Sequence, residues 1–325
     1  MKITITGGGG FIGRKLAARL LALERLAGRG GPAALEELVL FDQTAPPEGE
    51  FDDDRVRMVT GDLGDPARLE AVIGPETSSV IHLAAVVSAG AEADFDLGYR
   101  VNLEGTRAVL ERCRALGTVP RVLFASSIAV YGGEVAKLVE DATPLHPETS
   151  YGAQKVMGEL LIQDYTRKGF IDGRAMRLPT IVVRPGKPNK AASGFASSII
   201  REPLAGIDTT CPVRPESAMA ILSPRRVVEA FHHMHELGAE ALGDNRRLLL
   251  SGIRVTMGEA VEAMARVAGN RHRGRVRFEV DPAIQAIVDG WPQASRSDRA
   301  ARLGFKADES MDEIIAAHIE DELGG

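Results

Sequence analysis

A tyrosine and a lysine stand four residues apart in the segment SYGAQKVMGE, as Tyr151 and Lys155. On a helix this spacing places both side chains on one face. A free phenol has a pKa of about 10 and is a poor base at neutral pH, but a nearby ammonium favours the phenolate. Tyr151 could then take a proton from a substrate alcohol while a hydride leaves the same carbon. The pair alone is common by chance, so its surroundings have to support it.

Two serines, Ser126 and Ser127, end the β-rich run RVLFASS. The carboxyl edge of an open parallel sheet is where such folds bind their ligands. A hydroxyl at that edge can donate to the substrate oxygen and stabilise the charge that develops on it. A serine at a strand end can equally cap the local backbone, and the residues alone leave both interpretations open.

Four consecutive glycines, residues 7–10, separate the β-rich run KITIT from a helix-like amphipathic stretch. A helix N-terminus presents unpaired N–H groups and the positive end of the helix dipole. A pyrophosphate fits there only where no Cβ atoms intervene. The run satisfies both G-x-G-x-x-G, starting at Gly8, and G-x-x-G-x-x-G, starting at Gly7, and the competing interpretation is a tight turn with packing glycines. The residues predicted to bind the phosphates are Gly7, Gly10, Phe11, Ile12 and Gly13.

The second predicted strand, ELVLFD, ends at Asp42. In dinucleotide-binding sheets a carboxylate at this place accepts from the ribose diol and would repel a 2′-phosphate. No lysine or arginine follows before Arg55, so the residues favour NAD over NADP. Asp42 lies 29 residues beyond Gly13, further than the usual spacing of about 20. We expect the segment GRGGPAALEE to form an expanded loop that absorbs the excess, although Asp42 could also be an ordinary turn residue.

Asp62 and Leu63 follow the third predicted strand, VRMVTGD. In such a sheet they would lie where adenine binds, with the carboxylate accepting a hydrogen bond from an amine. An aspartate at this place can also cap the helix that follows, and both roles can hold together.

Strand-like and helix-like segments alternate through the first half of the chain. VIHLAA reads as a fourth strand and RVLFASS as a fifth, with helical patterns such as DPARLEAVI and LEGTRAVLERCRAL between the strands. This order implies right-handed crossovers and a doubly wound parallel α/β sheet of the Rossmann type. We predict a cofactor-binding domain with the catalytic residues at 1–185. The smaller C-terminal region, 186–325, would mainly bind substrate, and a later strand could return to the first sheet.

Composition narrows the class of protein. The chain has 325 residues and a formal net charge of -6, which argues against nucleic acid or an anionic membrane as the main partner. Its two cysteines, Cys113 and Cys211, are far apart and have no metal or redox spacing. We expect two reduced thiols, no metal, a cytoplasmic location and no signal peptide, since MKITIT is already strand-like. No apolar run approaches the length of about 18 residues needed to span a bilayer.

Together these motifs resemble the extended group of short-chain dehydrogenase/reductases, which includes sugar-nucleotide epimerases. They occur in the order of that group over about the first 185 residues, and the tail DRAARLGF is similar too. The motifs are Gly7–Gly10–Gly13, HLAA at 82–85, Asn102 followed by Gly105, SSIAVYG at 126–132 and YGAQK at 151–155.

The resemblance selects the G-x-x-G-x-x-G pattern and implies NAD as cofactor. It implies that Ser127 is the catalytic serine, with Ser126 its neighbour, and that Lys155 also holds the nicotinamide ribose. The remaining cofactor contacts that it implies are Leu83, Ala84, Ala85, Asn102 and the backbone from Thr180 to Val182. It also implies a homodimer, since dimers are common in the group.

The segment from residue 184 to 193 is rich in cationic and amide donors, which suit a carboxylate with neighbouring hydroxyls. It holds Arg184, Lys187, Asn189, Lys190 and Ser193. Its sequence resembles the D-erythronate-oxidising members of the group, which act on a four-carbon sugar acid with NAD. The predicted substrate contacts are Ser88, Ser126, Ser127, Tyr151, Asn189, Lys190 and Ser193. A solvated loop with incidental charges is the competing interpretation.

Other residues and activities stay open at this point. Arg225, in SPRRVVEAFHH, is a further candidate for the substrate carboxylate. His82 is expected to be a strand residue and not a catalyst, because Tyr151 fills the role of base. A sugar-nucleotide epimerase or reductase would use the same catalytic residues, and a non-catalytic NAD-sensing protein could share the fold.

Overall fold

A computed structural model describes residues 1–28, 30–47, 49–133, 137–186, 192–269 and 273–324. The described strands are β1 (Lys2–Thr6), β2 (Leu26–Gly28), β3 (Gly31–Ala33), β4 (Glu37–Asp42), β5 (Val56–Thr60), β6 (Thr77–His82), β7 (Arg121–Ser127), β8 (Leu138–Val139), β9 (Asp172–Leu178), β10 (Thr180–Ile181), β11 (Thr209–Cys211), β12 (Ala218–Leu222), β13 (Arg247–Leu249), β14 (Ile253–Thr256), β15 (Val276–Phe278) and β16 (Ala294–Ser295).

The described helices are α1 (Phe11–Leu21), α2 (Pro66–Val72), α3 (Ser88–Ala93), α4 (Phe95–Gly98), α5 (Thr106–Ala115), α6 (Ser150–Arg167), α7 (Gly194–Leu204), α8 (Pro224–Glu236), α9 (Ala239–Leu242), α10 (Met257–Ala268), α11 (Pro282–Asp289), α12 (Asp298–Arg302) and α13 (Met311–Leu323). A π-helical segment, Tyr99–Gly105, runs directly into α5, and a 3₁₀ turn, Ile128–Val130, follows β7. In the described ranges no helix combines the length and the apolar character that a membrane crossing requires.

Seven strands form the main sheet in the order β13-β9-β7-β6-β1-β4-β5. All of their pairings are parallel, so the predicted doubly wound sheet is confirmed. The chain starts at β1, moves outward through β4 and β5, and then returns to the other side of β1 at β6. The strand order therefore reverses between β1 and β6, and ligands bind at the carboxyl edge beside such a reversal.

Helices cover both faces of this sheet, because its strands are apolar on both sides. Every residue of β1 is buried. On one face Ile3 and Ile5 belong to a cluster with Leu16 of α1 and Phe231 of α8. On the other face α2, α5 and α6 pack, with Ile162 of α6 buried in a second cluster. Burying aliphatic side chains in this way stabilises the sheet that holds the carboxyl edge in place.

The C-terminal part has its own apolar cluster, built from α7, α10 and α13 around the small sheet β10-β12-β14. One strand of this part, β13, belongs to the main sheet, where its Leu248 pairs with Met176 of β9. A later strand thus returns to the first sheet, as the sequence allowed. The segment GRGGPAALEE, which was expected to be a loop, contains β3, and β3 pairs antiparallel with β2, which ends at the first residue of the segment.

Candidate active site

The glycine run forms a closed turn between β1 and α1. Gly7 has a left-handed φ of 74°, and a Cβ on it would lie 2.7 Å from the Ala84 nitrogen. A Cβ on Gly13 would lie 2.3 Å from the Gly7 oxygen, so both positions require glycine. Gly10 is the N-cap of α1 and provides no side-chain cap. The first N–H groups of α1, including those of Phe11 and Ile12, therefore receive no side-chain cap from Gly10, and such groups are able to donate to an anion.

One carboxylate, Asp42, lies beside this turn, and a second, Asp62, follows the neighbouring strand β5. Asp42, at the end of β4, accepts from the Gly9 N–H at 3.0 Å and from the Thr44 N–H at 3.3 Å. That contact fixes a carboxylate next to the phosphate turn, where a ribose diol is expected. Asp62 accepts from the Gly64 N–H at 2.7 Å, so it stabilises its own turn. It does not cap α2, because that cap is Asp65.

The segment after β6 borders the glycine turn directly. The Leu83 N–H donates to the Thr6 carbonyl at 3.0 Å, and Ala84 is the backbone neighbour that leaves no room at Gly7. Residues 83–85 thus lie beside the phosphate turn, where the resemblance placed cofactor contacts. The structure brings these residues and the glycines to one edge of the sheet.

Asn102 is anchored by hydrogen bonds within the protein. It is 3% exposed, accepts from the Val86 N–H at 2.8 Å and donates to the Val86 carbonyl at 2.9 Å. Its amide also donates to Gln154 of α6 at 2.7 Å. The predicted cofactor contact by this side chain stays a prediction. Asn102 ties the segment after β6 to the helix that carries Tyr151.

Tyr151 and Lys155 share one face of α6, as predicted. Lys155 Nζ lies 5.4 Å from the centre of the Tyr151 ring and donates to the Ala125 carbonyl at 2.8 Å. The Ser127 side chain accepts from the Ala129 N–H at 3.1 Å and lies close enough to the Tyr151 phenol to lower its pKa. The three predicted catalytic residues therefore meet at the end of β7.

Burial and two neighbouring groups act on the pKa of the Tyr151 phenol. Burial raises the pKa of Tyr151, and the groups that lower this pKa are the Arg184 guanidinium and the Ser127 hydroxyl. Arg184 is thus a cation that favours the phenolate and that the sequence did not single out for this role. The predicted effect of the Lys155 ammonium on the phenol stays a prediction. Lys155 is engaged with the Ala125 carbonyl, and burial lowers its pKa to about 8.

Glu159 and Arg177 form a buried ion pair behind Lys155 that sequence reasoning missed. Arg177 Nη2 donates to Glu159 at 2.7 Å, and the two side chains are 9% and 0% exposed. Arg177 Nη1 donates to the Tyr131 hydroxyl at 2.8 Å. The Glu159 carboxylate counteracts the burial of Lys155 and raises its pKa. The spacing could have revealed this contact, because Glu159 lies four residues after Lys155 on the same face of α6. Lysine–glutamate pairs at this spacing are usually found on helix surfaces, so the spacing did not point to a buried pair.

Ser126 belongs to this interior network. Its hydroxyl donates to Glu159 Oε1 at 2.6 Å, and the residue is 2% exposed. Successive side chains of a strand point to opposite faces, so Ser126 and Ser127 cannot both face the same ligand. The predicted substrate contact by Ser126 is therefore not supported by its position.

The predicted substrate contacts that the structure describes cluster near the start of α7. The Ser88 hydroxyl accepts from the Ala192 N–H at 3.2 Å, and the Ser193 hydroxyl accepts from Arg184 Nη2 at 3.0 Å. Asn189 and Lys190 lie outside the described residues. Arg184 joins this cluster to Tyr151, because its guanidinium lowers the pKa of the phenol.

The segment predicted to hold the nicotinamide carboxamide forms β10. Thr180 and Ile181 pair with β12, and the Val182 N–H donates to the Leu222 carbonyl at 3.1 Å. That N–H is therefore already bonded within the protein, and the carboxamide contact by the backbone from Thr180 to Val182 stays a prediction. Thr180 remains partly exposed.

Two further candidates have structural roles. His82 contacts the Thr6 and Thr106 hydroxyls at 2.6 and 2.9 Å, and burial lowers its pKa to about 3. It stays neutral at physiological pH, as expected for a strand residue. Arg225 donates to Glu320 at 2.8 Å and to Asp321 at 2.7 Å, so its charge is already neutralised. The candidate role of Arg225 in binding the substrate carboxylate is not supported.

The parallel sheet, the uncapped helix behind a glycine turn and the tyrosine–lysine face together define a dinucleotide-dependent oxidoreductase. Residues 3–242 match the model of the NAD dependent epimerase/dehydratase family. The chain belongs to that family, which confirms the resemblance read from its motifs. NAD is its cofactor, and the backbone donors at α1 and the carboxylate of Asp42 fit a dinucleotide without a 2′-phosphate.

Relatives and a solved structure are similar to this chain over almost its whole length. D-erythronate dehydrogenase from Cupriavidus necator is 54% identical over 99% of this chain and 98% of its own length. D-erythronate dehydrogenase from Haemophilus influenzae is 42% identical over 98% and 99%. The crystal structure of a nucleoside-diphosphate-sugar epimerase from Agrobacterium tumefaciens has a TM-score of 0.91 and 42% identity, with 100% of this chain and 95% of that chain covered.

Proposed function

We propose that this chain oxidises D-erythronate to 2-dehydro-D-erythronate with NAD, at the hydroxyl beside the carboxylate. The observation that carries the proposal is the similarity, 54% and 42% over nearly the full length, to two D-erythronate dehydrogenases. The grouping of Ser127, Tyr151 and Lys155 at the end of β7 supports it, because alcohol oxidation needs a base, a donor to the reacting oxygen and a fixed cofactor.

In the proposed reaction Tyr151 is the base that takes the proton of the substrate hydroxyl. Ser127 donates to the same oxygen, and Lys155 holds the nicotinamide ribose. Bound NAD supplies the acceptor for the hydride. The hydroxyl proton passes to Tyr151 Oη, so the products are the 2-oxo acid, the reduced cofactor and one proton.

The remaining residues take their proposed places around this centre. The region 1–185 binds the cofactor and carries the catalytic residues, and 186–325 mainly binds substrate. The proposed cofactor contacts are Gly7, Gly10, Phe11, Ile12, Gly13, Asp42, Asp62, Leu63, Leu83, Ala84, Ala85, Asn102, Tyr151, Lys155, Thr180 and Val182. Ser88 and Ser193 contact the sugar acid, with Asn189 and Lys190 from the neighbouring segment. Because both cysteines are buried and free, we also propose a cytoplasmic location.

The purified protein should reduce NAD when D-erythronate is added, measured by the absorbance of NADH. Aldonates of four to six carbons, each with NAD and with NADP, would define the substrate and the strictness of cofactor choice. Separate reactions with UDP-glucose and UDP-galactose provide the contrast, because the epimerase structure from Agrobacterium tumefaciens is also similar. Conversion of either nucleotide sugar with no oxidation of D-erythronate would reject the proposal in favour of an epimerase. NAD binding without any turnover would favour a non-catalytic NAD-sensing protein.

We also propose that the protein is a homodimer. Two large apolar side chains lie exposed on neighbouring helices, Phe95 of α4 and Leu160 of α6, at 56% and 52% exposure. Light scattering after gel filtration should give twice the mass of the chain. Leu160→Glu should shift the protein towards the monomer, whereas a monomeric wild type at every concentration would contradict the proposal.

A further inference from the structure

Arg184 brings a positive charge to the active site without a carboxylate of its own. The residue is partly buried, and no aspartate or glutamate among the described residues forms an ion pair with it. Burial lowers its pKa, and the titratable group that counteracts this effect is the Tyr151 phenol. A desolvated cation without a counter-charge is costly. The site therefore favours an anion that arrives from outside.

The guanidinium is held in a fixed orientation by neutral groups. Its Nε donates to the Ile181 carbonyl at 3.0 Å and its Nη2 to the Ser193 hydroxyl at 3.0 Å. The backbone is held as well, because the Arg184 N–H donates to the Ser197 hydroxyl at 3.0 Å. Arg201 Nη1 donates to the Arg184 carbonyl at 2.7 Å. A planar fork fixed in this way suits a carboxylate, which it can bind through two hydrogen bonds.

The position of the Arg184 guanidinium indicates which anion it binds. The hydroxyl that reacts at Tyr151 sits on the carbon next to the substrate carboxylate, so that carboxylate must lie within a few bonds of the phenol. Arg184 is the cation that acts on this phenol, while Lys155 is held on the Ala125 carbonyl. We propose that the Arg184 guanidinium, steadied by Ser193, binds the substrate carboxylate and so selects 2-hydroxy acids over neutral alcohols. The inference rests on the proposed function, because it requires a carboxylate beside the reacting carbon.

The test compares Arg184→Gln with the wild type on D-erythronate and on its amide, which keeps every hydroxyl and lacks the charge. Loss of a charge-assisted pair should raise KM for the acid by about ten- to a hundredfold, with a smaller change in kcat. The preference for the acid over the amide should fall by a similar factor. Arg184→Lys should restore part of the preference, since it keeps the charge and loses the fork. Arg225→Gln, whose arginine is paired with Glu320 and Asp321, is the matched control and should change neither.

A binding measurement separates this inference from the proposed function. Calorimetric titration of D-erythronate into the protein with NADH should show weakening in Arg184→Gln by the same factor as KM. An unchanged preference for the acid in Arg184→Gln, or the full loss appearing in Lys187→Gln or Lys190→Gln instead, would overturn the assignment of Arg184. If the wild type neither binds nor oxidises D-erythronate, the proposed function fails and this assignment with it. If the wild type oxidises the acid and Arg184→Gln does so with equal KM, the assignment alone fails.

Discussion

Replacement of Tyr151 by phenylalanine lowers kcat/KM for D-erythronate by roughly a hundred- to ten-thousandfold, the usual contribution of a positioned general base. The phenylalanine ring keeps the shape of the site and the packing beside Lys155, whose Nζ lies 5.4 Å from the centre of the Tyr151 ring. Only the proton acceptor is lost. Steady-state rates of NADH formation measure the effect, and fluorescence titration of NADH should show nearly unchanged cofactor affinity.

The control for this substitution lies on the same helix. Tyr165 of α6 donates to Glu111 and takes no part in the site, so Tyr165→Phe makes the same chemical change elsewhere on α6. It should retain wild-type kcat/KM. Oxidation by Tyr151→Phe at a rate equal to that of Tyr165→Phe would show that another group is the base, or that the protein is not an enzyme of this kind.

The pH dependence provides a second readout for Tyr151. Burial raises the pKa of the phenol, so the phenolate is the minor form at neutral pH. The active fraction then increases about tenfold for each unit of pH while the phenol is mostly protonated. The wild-type kcat/KM should rise with pH through neutrality, and the residual activity of Tyr151→Phe should lose this dependence.

The sequence was most informative where backbone geometry demands a residue type. Gly7 and Gly13 are required by contacts of 2.7 and 2.3 Å that a Cβ would make, so their pattern identified the turn before its structure was known. The parallel sheet followed equally from the alternation of apolar runs and amphipathic segments. Both inferences rest on constraints that are local in the chain.

The sequence was least informative about which hydrogen-bond partner a polar side chain has in the folded protein. Ser126 and Ser127 are adjacent and chemically identical, yet one donates to Glu159 in the interior and the other lies by Tyr151. The pattern around Asn102 predicted a cofactor contact and gave no sign of its bonds to Val86 and Gln154. The effect of Arg184 on the Tyr151 phenol became visible only in the structure. Such choices depend on contacts between residues far apart in the chain, which spacing does not reveal.

Glu159→Gln should destabilise the protein by about 3–5 kcal/mol, the usual cost of leaving one member of a buried pair without its partner. Glu159 is fully buried and accepts from Arg177 Nε at 2.9 Å and from the Ser126 hydroxyl at 2.6 Å. Glutamine keeps an oxygen for these donors but leaves the Arg177 charge without compensation. Urea denaturation followed by circular dichroism measures the change in the free energy of unfolding.

A double substitution tests whether the uncompensated charge of Arg177 causes the loss of stability in Glu159→Gln. Glu159→Gln combined with Arg177→Met removes both charges and should recover part of the loss, because neutral replacements of buried pairs cost less than broken pairs. The exposed pair Arg266–Asp312, with side chains 59% and 43% exposed, gives the matched control. Asp312→Asn should change the free energy of unfolding by less than about 1 kcal/mol. Equal losses in Glu159→Gln and Asp312→Asn would contradict the role assigned to the buried pair.

The same carboxylate controls the charge of Lys155, which links the stability of the interior to catalysis. Burial holds the pKa of Lys155 at about 8, and Glu159 is the group that raises it. Below this pH the amine is protonated, so the rise of kcat/KM with pH should level off near pH 8, where the ammonium is lost as fast as the phenolate is gained. Removing Glu159 lowers the Lys155 pKa further, and the levelling should then occur at a lower pH and at a lower rate. If the folded Glu159→Gln protein levels off at the same pH as the wild type, Glu159 does not control the charge of Lys155.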